Sequence, residues 1–148
     1  MSKLTSISCS SKRRSGGHAA VEVSLLAPWI LFLFIGVLDL GFYSYALICT
    51  QSAARVAVVF TSVRSATAAD SAAACQSALG EMSMMANVRS LSTCNSYPLI
   101  VTATAVTGVD GAPASEVAVT YQTDQLIPIP GLLAGRLTVT RRAQMRVQ

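Results

Sequence analysis

Glu22 stands five positions after Gly17, between the basic run Lys12, Arg13, Arg14 and a long apolar stretch. A carboxylate at the threshold of a membrane-length apolar segment is expensive to bury, so its chemistry must be that of an ion pair or a solvated cap. Scission of the peptide bond after Gly17 would free an α-amino group on His18 with an unperturbed pKa of about 8, largely cationic at neutral pH. That ammonium, in the same or a neighbouring subunit, is the matching partner for Glu22. Because an unpaired buried charge costs several kcal/mol, such a pair would penalise misregistered docking. The competing reading is a solvated acid favoured by the dipole of a helix N-terminus.

The elements that must position Glu22 follow from composition. The chain has 148 residues, 52% hydrophobic and 12% charged, too apolar for an ordinary soluble domain. Leu25 to Ile48 holds one charge, Asp39, and exceeds the roughly 20 residues that a spanning helix needs. One transmembrane helix is expected. Of the eleven basic residues, Lys3, Lys12, Arg13 and Arg14 precede Gly17, which leaves seven basic against seven acidic residues from His18 onward. The positive charge is thus a topogenic flag that places the N-terminus in the cytoplasm and the body outside. No basic stripe interleaved with aromatics exists, so a nucleic-acid partner is not expected. The apolar run is too long for a removable secretory signal, and Ile48 before Cys49 argues against a lipoprotein signal.

With that topology the remaining reactive residues can be sorted. Asp39 lies about 20 Å along the helix from Leu25, in or near the hydrocarbon, where it needs a partner subunit or a place among the outer headgroups beside Tyr43 and Tyr45. Cys9 falls in the leader, and Cys49 reads as a small apolar residue. Cys75 and Cys94 both lie on the outer, oxidising side, and a bridge between them would contribute roughly 3 kcal/mol. With His18 the single histidine and no paired carboxylates beyond the membrane, no catalytic residue, metal site, cofactor or small-molecule substrate is expected.

The architecture expected is α+β: a long N-terminal transmembrane helix extending into an alanine-rich helical segment, then a small antiparallel sheet. Residues 1–17 form a polar basic leader, 18–50 the transmembrane helix, 51–97 an extracytoplasmic helical segment and 98–148 the sheet region. Past the membrane, Ala46, Cys49, Ala53, Val56, Ala57, Phe60 and Val63 recur at spacings of three and four, predicting that the helix projects past the bilayer. A second helix is expected over Ala68 to Met85. From Pro98 the pattern turns to strands: Ile100 to Thr107, a turn through Gly108, Asp110, Gly111 and Pro113, then Val117, Val119 and Tyr121 on one face. After a break at Pro128, Pro130 and Gly131, Leu137, Val139, Ala143, Met145 and Val147 alternate with polar residues, Arg141 alone falling on the wrong face.

Basic residues, Gly17, four residues, Glu22 and an apolar helix resemble the type IV pilin and pseudopilin class. More narrowly, Ala20, Val21, Glu22, Leu25 to Pro28, Asp39 to Gly41, then Ala53, Ala54, Arg55 and Ala57 are similar to the TadE family of minor pseudopilins from tight-adherence pili. The resemblance implies a prepilin peptidase that cuts between Gly17 and His18, an assembly role for Glu22, and partners among other minor pilins or pilus-assembly components, in the bacterial inner membrane lipid. Val23, where an aromatic is common, and Val58, where a second arginine is frequent, depart from the family pattern. An uncleaved single-pass membrane-anchored binding module and a type II secretion pseudopilin are the alternatives.

Overall fold

The computed structural model describes residues 16–124 and 136–148. The basic run Lys12, Arg13, Arg14, the leader Cys9 and the break at Pro128, Pro130 and Gly131 lie outside the described residues.

Helix α1 runs from Gly16 to Thr61, 46 residues with Pro28 inside it. Its apolar content is carried all round rather than on one stripe, the pattern of a helix whose solvent is itself apolar. The molecule divides into two compact units, one ending at Val37 and the other spanning Leu38–Gln148. In the first, no described side chain is buried, and Val21, Leu25, Trp29, Leu33 and Phe34 stand exposed.

The second unit holds the rest of α1, a 3-10 turn at Ser65–Thr67, helix α2 (Ser71–Glu81) and strands β1 (Asn95–Ser96), β2 (Leu99–Thr107), β3 (Pro113–Gln122) and β4 (Thr138–Arg146). The strands form one antiparallel sheet in the order β1-β2-β3-β4. The α+β class expected from sequence is the class observed. Alternation puts Leu99, Val101, Ala103, Val117, Val119, Tyr121 and Val139 on the covered face. All of these but Val139 share one core with Ala53, Ala54, Ala57 and Val58 of α1 and with Ala74, Ala78 and Met82 of α2 and the turn after it.

Local chemistry sets the ends of these elements. Asp70 caps α2, its Oδ1 accepting from the backbone of Ala72 (3.0 Å) and Ala73 (3.1 Å). The β2–β3 turn has Gly111 at φ 78°, a left-handed conformation that suits glycine, while Asp110 Oδ1 accepts from Ala112 N at 3.2 Å.

The structure departs from or adds to these expectations in three places. α2 closes at Glu81 instead of Met85, because the chain turns through Met82, which is fully buried beneath its own turn. The two-residue β1 was not expected, being too short to carry periodicity. On the outer stretch of α1 and the turn after it, Ala46, Thr50, Ala53, Ala54, Ala57, Val58 and Thr61 are buried, whereas Val56, Phe60 and Val63 are exposed. The small side chains are the ones that share the core, and the bulkier residues are left outside.

Candidate assembly surface

Gly17, His18 and Glu22 lie in the first turns of α1 and are all exposed. The spacing of four residues puts His18 and Glu22 on one helical face. In the uncut chain the nitrogen of His18 is a peptide N–H, so an ammonium–carboxylate pair can arise only after the bond is broken. A Cβ built on Gly17 meets nothing within 4 Å, and its φ is not left-handed. Since glycine in a helix is disfavoured by roughly 1 kcal/mol relative to alanine, nothing in the fold accounts for its choice here.

Asp39 is half-buried, and its Oδ2 is shielded from solvent without a hydrogen-bond partner among the described residues. Such an orphaned acceptor in apolar surroundings is unfavourable unless it is protonated or paired by another molecule. Within this chain it stands apart from Glu22, 17 residues along the same helix. No group of three His, Cys, Asp or Glu side chains that could hold a metal ion occurs among the described residues.

Cys75 and Cys94 form a disulfide with Cα atoms 5.7 Å apart, tying α2 to the entry of the sheet. Cys49 is a free thiol, half-buried against the core. Beside this bridge the helical layer is fixed to the sheet by polar contacts that sequence reading missed. Thr61 and Ser115 hydroxyls lie 2.8 Å apart, and Ser115 Oγ donates to the Ala68 carbonyl at 2.8 Å. Tyr121 OH donates to Asn87 Oδ1 at 2.7 Å, and Asn87 Nδ2 donates to the Gln122 carbonyl at 3.1 Å. The only sequence signal for them is a hydroxyl or phenol in register with an apolar strand face, which must find a partner when buried.

The displaced bulky residues create a surface of their own. Val56, Val59, Phe60 and Val63 are 39–55% exposed, and with Arg55 they line a shallow apolar groove of about 370 Å³ at the end of α1 and the turn after it. At 1.5 Å per residue, 46 helical residues amount to about 70 Å, against a hydrocarbon thickness of roughly 30 Å. The helix is thus longer than a single span, and its exposed apolar residues continue to Phe60.

A membrane-length apolar helix followed by a disulfide-braced α+β unit fits a single-pass membrane-anchored class of protein. Residues 17–58 match the TadE family, described as TadE-like protein, so this segment is TadE-like and agrees with a protein of tight-adherence pili. No curated protein and no solved structure matches the chain. The matched segment contains Gly17, His18, Glu22, Asp39 and the alanine stripe, and stops before Phe60, α2 and the sheet. A pilus-associated, pilin-like role and a single-pass helical anchor are what the match and the helix support.

Proposed function

We propose that this protein is a minor pseudopilin of a tight-adherence pilus, made as a precursor and cut by a prepilin peptidase between Gly17 and His18. The observation that carries the reading is the run of exposed apolar side chains that continues through Val56, Val59 and Phe60 of α1 to Val63, beside residues buried in the folded unit. A lone anchor gains nothing from a greasy surface in water, whereas a subunit that packs against other helices does. The TadE-like match over residues 17–58 and the glycine unexplained by the fold support the same conclusion.

The chain sits in the inner membrane with Lys12, Arg13 and Arg14 on the cytoplasmic side and the α+β unit in the periplasm. Its partners are the peptidase, surrounding lipid, and other minor pilins or pilus-assembly components that meet α1. After processing, the ammonium of His18 lies within about one turn of Glu22 and supplies the charge that the carboxylate lacks in the uncut chain.

N-terminal sequencing of the protein purified from host membranes tests processing directly. A mature chain beginning at His18 is expected; an intact Met1 or Ser2 terminus overturns the precursor reading and leaves an uncleaved anchored module. Glu22→Val should leave membrane insertion intact and impair piliation, and normal piliation in that variant would remove the role given to Glu22.

A further inference from the structure

The two edges of the sheet are finished differently. On the β2 side, β1 pairs with Leu99 and Ile100, and beyond it the Val101 N–H donates to the Cys94 carbonyl and the Ala103 N–H to Ser71 Oγ, each at 3.0 Å. From Leu99 to Ala103 that edge is covered by its own chain. The β4 edge has no such cover among the described residues.

Which β4 groups face outward can be worked out from the ladder. In an antiparallel pair, facing residues alternate between those that exchange both backbone bonds and those that exchange none. At one end of the β3–β4 pairing Thr123 N donates to Leu137 O, and at the other Val147 N donates to Pro113 O, both at 2.9 Å. The register between them is unbroken, from Gln122↔Thr138 to Ala114↔Arg146. Odd-numbered residues of β4 therefore bond to β3, and the N–H and C=O groups of Thr138, Thr140, Arg142, Gln144 and Arg146 point away from the sheet. The Gln148 N–H, next in this outward series, is taken by the Ser62 carbonyl at 3.0 Å, which marks where the open edge stops.

This edge is also strongly cationic. Arg136, Arg141, Arg142 and Arg146 lie within it or just before it, with no acidic residue from 136 to 148. Arg142 and Arg146 reach Glu116 and Asp110, each at 3.5 Å and largely exposed. Arg136 and Arg141 have no ion pair among the described residues, and Arg141 stands on the covered face in register with the fully buried Val119. A charge there blocks casual pairing of a free edge.

We propose that β4 receives an extended, acidic segment of a partner protein, which adds to the sheet as a fifth strand. The five outward residues supply alternating donors and acceptors that only another strand answers in full. Carboxylates on that segment pair with Arg136 and Arg141 and give the choice of partner. A second copy of this chain would bring its own four arginines against these, and anionic lipid would match the charge without answering the backbone. The inference goes beyond the pilus reading and holds whether or not the bond after Gly17 is cut.

The test places a photo-reactive residue at Thr140 of the full chain in host membranes and maps the residues that it captures on illumination. The expected adduct lies in an extended segment with acidic residues at alternate positions. Gln144→Pro removes one outward N–H without touching the β3 ladder, and Arg141→Glu reverses the unpaired charge; each should lower the adduct about tenfold. Arg89→Glu, an exposed arginine off the sheet, should leave it unchanged. Retention of the Cys75–Cys94 bridge shows that the variants still fold. Adducts to lipid, to a second copy or to a helix, adducts that survive both substitutions, or no adduct at all would overturn the proposal. An uncut N-terminus with the expected adduct would defeat only the precursor reading.

Discussion

The two stretches of α1 are built from similar proportions of apolar residues yet solve opposite problems. From Val21 to Val37 the helix exposes Trp29, Phe32, Leu33 and Phe34 and buries nothing. From Ala46 to Thr61 it buries Ala53, Ala54 and Ala57 completely and keeps Val56, Val59 and Phe60 outside. Hydrophobicity alone does not say what a residue packs against; side-chain size does. Large residues all round need a solvent of lipid or other helices, and a stripe of buried alanines marks where the helix joins a packed core.

The comparison can be broken with one substitution made on each side. Ala54→Asp puts an unpaired carboxylate at a fully buried position and should cost about 3–5 kcal/mol, a large share of a small unit's stability. The expected outcome is rapid proteolysis beyond Thr61 with membrane retention unchanged. Leu33→Asp should do the reverse, weakening insertion by roughly 3 kcal/mol while the folded unit stays protease-resistant. If either variant lost both properties, the two stretches would not have separate roles.

A smaller effect should come from the bridge that holds α2 over the sheet. Cys75→Ser with Cys94→Ser opens a loop with a sequence separation of 19 and should lower stability by about 3 kcal/mol. Denaturant titration of the detergent-solubilised chain checks this, with the drop also expected on adding a thiol reductant. A wild-type midpoint insensitive to reductant would show that packing against α1 suffices to hold α2.

Much of this division was legible in the chain. The charge-poor run from Leu25 to Ile48 gave the span, and strict alternation at Val117, Val119 and Tyr121 gave the sheet face, because both signals are local and periodic. Which outer residues face the core was not legible, because spacings of three and four alone do not separate Ala53 and Ala57, which are buried, from Val56 and Phe60, which are exposed. Arg141 stood out as an exception to alternation, but its place on an open edge depends on strand order. The Thr61–Ser115 contact joins residues 54 apart and leaves no trace in local pattern. For the candidate site, the spacing from Gly17 to Glu22 was visible, whereas the orphaned oxygen of Asp39 required coordinates.

The smallest effect concerns Tyr121, a core residue of β3 that senses how the sheet is covered. Burial pushes its hydroxyl pKa up, and the charges of Asp124 and Cys49 add smaller upward contributions. A raised pKa means that the folded state holds the proton more firmly than the unfolded one. The associated stability is therefore fully present below about pH 10, the unfolded value, and lost as pH rises through the higher folded value. Tyr121→Phe removes the 2.7 Å bond to Asn87 and should cost about 1 kcal/mol at neutral pH. Because the ring stays buried, the same variant should also lose part of the decline in stability above pH 10. Denaturant midpoints at pH 7 and above pH 10 read both effects, and a variant as alkali-sensitive as wild type would show that another group carries the alkaline transition.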